Sequence, residues 1–133
     1  RLPLRRDFYL GDFILAYLNA EAYDIFRKVE EVIGPFKLRS LGSASLDICL
    51  VASGRATAFI DIRARLRITD IAAAQLVLKE AGGMIYDKFG SELDLNVLKD
   101  RNVRSIVAFP GENAYEKYKF IFDIIREEIG SEN

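Results

Sequence analysis

Between Ala22 and Ile33 the apolar residues Ala22, Ile25, Phe26, Val29, Val32 and Ile33 recur at helical spacing, and Arg27, Lys28, Glu30 and Glu31 fill the water-facing positions. Asn19 stands where a cap is wanted, and Gly34-Pro35 stops the helix. Ahead of it, Phe8 to Leu18 is apolar and aromatic and predicts a strand, bent or bulged near Gly11. Phe36 to Leu41 predicts a short strand. Gly42-Ser43-Ala44-Ser45 then opens a second helix, buried through Leu46, Ile48, Cys49, Leu50, Val51 and Ala52 and ending at Ser53-Gly54. Ala56 to Ile68 alternates as one or two strands, with Arg63, Arg65 and Arg67 on one face and Ile62, Ala64, Leu66 and Ile68 on the other.

The helix that follows is the densest apolar element. It runs from Ile68 through Ala72, Ala73, Ala74, Leu76, Val77, Leu78 and Ala81, so it is expected to be buried on most sides. Thr69 or Asp70 supplies its cap, and Gly82-Gly83 ends it. Met84 to Asp87 is a strand, Lys88 to Ser91 a turn, and Glu92 to Arg104 a polar, irregular stretch. Ser105 to Phe109 is a continuous apolar run, fit for an inner strand. After Pro110-Gly111, one last helix sets Tyr115, Tyr118, Phe122, Ile125 and Ile129 on one stripe and ends at Gly130. Alternating strands and helices predict a single α/β domain over residues 1–133: a three-layer α/β/α arrangement on a mainly parallel mixed sheet.

Composition narrows the chemistry. Half of the 133 residues are hydrophobic, enough for a real core in one domain. The net charge of −1 suggests neither nucleic acid nor an anionic membrane as partner. No apolar run approaches the roughly 20 residues that cross a bilayer, and no signal peptide is evident, so a cytoplasmic location is expected. Cys49 is the only cysteine, which excludes an internal disulfide and a thiolate zinc site. The absence of histidine removes imidazole ligands, imidazole bases and every Ser-His triad. Catalysis is left to carboxylates, hydroxyls, backbone N–H groups, Lys or Arg, or a metal held by oxygen, which favours Mg²⁺, Mn²⁺ or Ca²⁺. The chain begins at Arg1 and its only methionine is Met84, as in a fragment or a processed product.

Four places could carry chemistry. The Gly42-Ser43-Ala44 turn is either an anion site, through free helix N–H groups, or a plain serine cap. Asp70 is either a cap or a single carboxylate ligand to Mg²⁺. Asp61 either contacts a substrate hydroxyl or a metal-bound water, or is a solvated strand end. Arg63, Arg65 and Arg67 together either hold a phosphate or carboxylate or form a charged edge strand that blocks aggregation. Asp47 and Cys49 are assigned to structure only. Phe8, Tyr9, Phe13 and Tyr17 are assigned to core or interface.

In combination, several blocks resemble the inositol monophosphatase family: Arg39-Ser40-Leu41-Gly42-Ser43-Ala44-Ser45-Leu46-Asp47, Val51-Ala52-Ser53-Gly54-Arg55, Ala58-Phe59-Ile60-Asp61, Thr69-Asp70-Ile71-Ala72-Ala73 and Glu80-Ala81-Gly82-Gly83. The resemblance runs from about Phe8 onward and covers the C-terminal half of that sugar-phosphatase fold. It implies a Mg²⁺-dependent phosphatase of small phosphorylated polyols and sugars, with Asp70 as metal ligand. It also implies that Gly42, Ser43 and Ala44 contact substrate phosphate or neighbouring hydroxyls, and that Asp61 binds a substrate hydroxyl. Thr69 replaces the usual tryptophan, and the stretch from Asp61 to Asp70 is slightly long. Both features resemble the archaeal branch, whose members act on inositol monophosphate and fructose 1,6-bisphosphate, and Arg63, Arg65 and Arg67 would suit a second phosphate. The family's Asp-Pro-Ile/Leu-Asp-Gly-Thr motif and its upstream glutamate are not in this chain. No catalytic residue is therefore assigned within the chain, and it is expected to be inactive without a missing N-terminal half. The alternative is a non-catalytic phosphosugar-binding or subunit-pairing module. Exposed apolar surface near Phe8, Phe13 or Tyr17 is expected to drive homo-oligomerisation.

Overall fold

Asn19 starts the first helix by accepting the Ala22 N–H on its side-chain oxygen at 2.8 Å, and Gly34 ends it at φ +84°. The computed structural model describes residues 12–66, 68–93 and 104–130. In chain order they form β1 (Phe13–Ala16), α1 (Ala20–Ile33), β2 (Lys37–Arg39), α2 (Ala44–Ala52) and β3 (Ala58–Leu66). The order continues with α3 (Ile68–Glu80), β4 (Met84–Tyr86), β5 (Arg104–Phe109), α4 (Glu112–Tyr118) and α5 (Phe120–Ile129). Ser43 caps α2, its Oγ accepting the Leu46 N–H at 3.3 Å. Helix α3 already begins at Ile68, so Thr69 and Asp70 lie in its first turn and not at its cap. Only Arg67, outside the described residues, separates its range from that of β3.

The sheet order is β2-β1-β3-β5-β4. β1 is parallel to both of its neighbours, and β5 is antiparallel to both of its own. Four strands therefore run one way and β5 alone runs against them, the mixed, mainly parallel sheet expected. Side-chain alternation sends Ile14, Ala16, Ala58, Ile60, Val107 and Phe109 to one face, under α1, α4 and α5. Leu15, Phe59, Ile106, Ala108 and Ile85 go to the other, under α2 and α3. The result is three layers with a core on each side of the sheet.

β3 is central, so the reading of its arginines as an edge-strand guard does not hold. The strict alternation expected across it also fails. Asp61 pairs with Ile106 and Leu66 with Arg104, so five steps along β3 stand against two along β5. The surplus is odd, and an odd surplus exchanges the faces of a strand. Ile62 accordingly packs under α1, α4 and α5, whereas Leu66 packs under α2 and α3.

Other boundaries moved for local reasons. Among the described residues of the long first strand, Phe13–Ala16 form β1, and the Tyr17 N–H makes one further bond to the Ile60 carbonyl at 3.2 Å before the chain reaches the cap at Asn19; Phe8, Tyr9 and Gly11 lie outside the described residues. The last helix is two, divided at Lys119, where the Phe122 N–H turns back to the Lys119 carbonyl at 3.1 Å. Residues 94–103, most of the polar stretch, also lie outside the described set. Among the described residues no helix is long and apolar enough to cross a membrane.

Of the three residues near which exposed apolar surface was expected, Phe8 lies outside the described residues. Phe13 is half-buried against the α2–α3 core, and Tyr17 is exposed but covered by an arginine described below. Among the described residues, exposed large apolar side chains also include Tyr23 and Val32 on α1, Leu41 before α2, Leu46 on α2, and Leu76 and Val77 on α3, where Ala72 and Ala73 are exposed too. α3 is thus buried on one side only, against the sheet and α2. No described residue covers its outer face.

Gly82 and Gly83 make this α3 exit a test of two different physical effects. A Cβ on Gly82 would meet open space, but its φ is +88°. A Cβ on Gly83 would lie 2.8 Å from the Phe109 carbonyl oxygen and against Leu78. We expect Gly82→Ala to cost about 1 kcal/mol and Gly83→Ala about 3 kcal/mol. Urea unfolding of both variants measures the order, which would reverse if close packing at Gly83 were dispensable.

Candidate functional site

Asp61 builds the centre of the site through its own backbone neighbourhood. Its Oδ1 accepts the Arg63 backbone N–H at 3.0 Å, which draws that N–H out of the sheet ladder where the bulge begins. The same Oδ1 accepts Arg63 Nε at 3.0 Å, and Oδ2 accepts Nη2 at 2.7 Å, a bidentate, charge-assisted pair. The Arg63 guanidinium lies 3.6 Å from the centre of the Tyr17 ring and stacks on it. Asp61 is 1 % exposed, so its partner is what makes a charge tolerable there. The hydrogen bonds to Asp61 push the Arg63 pKa still higher.

Above this pair lies a cleft of about 340 Å³, between the start of α2 and the bulged part of β3. Its wall brings together Gly42, Ser43 and Ala44 from the α2 entry with Asp61 and Arg63 from β3. Gly42 has φ +83° and nothing within 4 Å of a hypothetical Cβ, so it both makes the turn and keeps the approach to the backbone open. Ser43 is a helix cap as well as a cleft residue, so those two readings are not exclusive.

Five of the site residues expected from the sequence therefore share one cleft. For Arg65 and Asp70 the backbone is described, in β3 and in the first turn of α3, but the side chains fall outside the described residues, as does all of Arg67. Of the three arginines expected on one face, Arg63 gives Nε and Nη2 to Asp61 and stacks on Tyr17 while still lining the cleft. Asp61 is likewise a buried, paired acid and not a solvated strand end.

Two residues of the cleft were assigned to other roles by the sequence. Tyr17, read as core or interface, lines the cleft and supports Arg63. Asp47, read as structural, also lines it and is 2 % exposed. Burial pushes the Asp47 carboxyl up from 3.8 to about 6. The sequence did carry a sign of it: Asp47 is the only charged residue in the helix Ala-Ser-Leu-Asp-Ile-Cys-Leu-Val-Ala. Among the described residues, no group of three or more acids, cysteines or histidines is placed to hold a metal ion.

Comparison with known proteins gives this cleft a context. Residues 7–118 match the model of the inositol monophosphatase family. The chain is 38 % identical over 101 residues to a fructose-1,6-bisphosphatase/inositol-1-monophosphatase of Methanothermobacter thermautotrophicus, covering 75 % of this chain and 36 % of that protein. It is 32 % identical over 122 residues to the protein of the same description from Methanocaldococcus jannaschii, covering 90 % of this chain and 45 % of that one. Its fold superimposes on a Thermotoga maritima inositol monophosphatase with a TM-score of 0.70 at 22 % identity, over 97 % of this chain and 46 % of that one. The chain thus spans less than half the length of these relatives.

Both acids make measurable claims. For Asp47 the folded state holds the proton more tightly than the unfolded state, so its favourable contribution is complete below about pH 4 and is lost as the pH rises through 6. Asp47→Asn cannot titrate. Its stability relative to wild type should therefore grow by up to about 3 kcal/mol between pH 4 and pH 7.5 in denaturant titrations; a constant difference would mean an ordinary carboxyl. Arg63→Met leaves the Asp61 charge buried without a partner and should cost about 3 kcal/mol, part of which Asp61→Asn restores in the double variant. Strictly additive single and double variants would show that the pair is not coupled.

Proposed function

Because the chain belongs to the inositol monophosphatase family, we propose that it is the C-terminal part of a Mg²⁺-dependent phosphatase of inositol monophosphate or fructose 1,6-bisphosphate, inactive by itself. The observation that carries this reading is the cleft, where the start of a buried helix faces a paired acid on the central strand. A phosphorylated polyol has two needs that such a cleft can meet. Its anionic group is favoured at a helix N-terminus reached over a glycine, and its hydroxyls need fixed polar partners. Arg63 contributes positive charge to the wall while its position is held by Asp61 and Tyr17.

Magnesium does not fit the described side chains alone. Asp61 already spends both oxygens on Arg63, and no acidic cluster is present among the described residues. An octahedral ion needs more oxygen ligands than one carboxylate provides. Asp70, in the first turn of α3, is proposed as a single ligand, with the remainder supplied from outside this chain. The uncovered apolar face at Leu46, Leu76 and Val77 is proposed to pack against that same remainder, since relatives are more than twice as long.

The chain alone should release no phosphate from either ester in Mg²⁺, whereas the complete protein should turn over at about 1 to 1,000 per second. Turnover by the chain alone would overturn the reading as a part, and phosphosugar binding without turnover by the complete protein would favour a binding module. In the complete protein Asp70→Asn should lower activity strongly, with partial recovery at high Mg²⁺. Its metal-free stability should change by less than about 1 kcal/mol, the scale of a lost first-turn charge. Wild-type rate and Mg²⁺ dependence in that variant would leave Asp70 a helix-terminus charge only.

A further inference from the structure

Asp47 carries a desolvation penalty that nothing in the described structure offsets. It is 2 % exposed, and its Oδ1 is shielded from solvent with no hydrogen-bond partner among the described residues. Buried polar atoms without partners are few in folded proteins, and each asks for an explanation. Capping does not supply one. Ser43 already caps α2, and Asp47 lies a turn further in, with its backbone N–H donated to the Ser43 carbonyl at 2.9 Å.

Asp47 nevertheless lines the cleft, on the helix side, across from the β3 pair. The other carboxylate there is committed, since Asp61 accepts three hydrogen bonds from Arg63. Both oxygens of Asp61 are thus engaged, whereas Asp47 Oδ1 has no partner among the described residues. An acceptor-only group excludes another anion and selects a donor. A cation is disfavoured because no second and third acid stand with it among the described residues. An uncharged O–H is the donor that can lie beside both a carboxylate and a phosphate.

We propose that Asp47 is a specificity residue of the cleft, accepting a hydrogen bond from a hydroxyl of the polyol or sugar whose phosphate lies at the start of α2. This rests on the phosphatase reading above and adds to it a residue that neither Asp61 nor Asp70 replaces. It also gives the lone acid of an apolar helix a reason to be there: it rewards a ligand rich in hydroxyls over a bare phosphate ester.

The test compares myo-inositol 1-phosphate with p-nitrophenyl phosphate in the complete protein. Asp47→Leu removes the acceptor and should lower the ratio of kcat/KM for the two esters about tenfold or more. Asp47→Asn keeps an oxygen acceptor without the charge and should lower it less, by about threefold. If Asp47→Leu does not fold, the Asn variant alone decides, on the same ratio. Equal losses for both esters would make Asp47 structural, and an unchanged ratio would mean that water or another part of the protein satisfies it; either overturns the inference. If the complete protein hydrolyses neither ester, the phosphatase reading fails by itself. Calorimetric preference for myo-inositol 1-phosphate over inorganic phosphate then reads Asp47 directly: the same tenfold fall supports it, and no change overturns it.

Discussion

The bidentate contact between Asp61 and Arg63 is the interaction on which the site depends. A carboxylate in the middle strand of a five-stranded sheet would otherwise be an unpaired buried charge, one of the most destabilising features a fold can contain. The pair does more than neutralise. Asp61 also takes the Arg63 N–H, so the strand is released from its ladder at the point where three extra residues must be accommodated. The bulge that results moves Leu66 to the α2–α3 side and opens the wall of the cleft. Electrostatics, strand register and site shape are thus settled by two side chains at positions i and i+2.

Around that pair the helices are arranged by different means. α1, α4 and α5 cover one face with large side chains and an aromatic group in which Tyr86 stacks on Tyr115 and meets Phe109 and Phe122 edge-on. α2 and α3 cover the other with smaller residues, including Ala52, Ala74 and Ala81, which let backbones come close. The first side forms a conventional core. The second brings the start of α2 down onto β3 and leaves a polar cleft at its edge. The candidate site lies on this second side, where the start of α2 is held against β3 and a glycine turn keeps the approach open.

The outer face of α3 extends the same logic beyond this chain. Leu76 is 51 % exposed, yet it lies on a helix whose composition suits burial all round. Relatives more than twice as long share the family and the fold. One layer of helices with apolar residues on both sides is what a sandwich continued by another layer requires.

The sequence by itself determined most of the fold. Asn19, Gly34, Ser43 and Gly82 punctuate the helices because capping and positive φ are local properties of those residues. The apolar run at Ser105–Phe109 identified an inner strand because burial on both faces shows in composition. The motif blocks gave the family, and five residues quoted for the site do meet in one cleft. What only the tertiary structure decided is the state of the charged groups. The alternation in β3 predicted three arginines on one face, but facing is set by register, and register depends on what β5 pairs with forty residues later. Asp47 looked structural because a lone acid in an apolar helix, though conspicuous, does not tell which neighbours will surround it. Its burial, its missing partner and its place in the cleft exist only once α2 has been laid against β3, since desolvation is a property of the assembled neighbours and not of the residue.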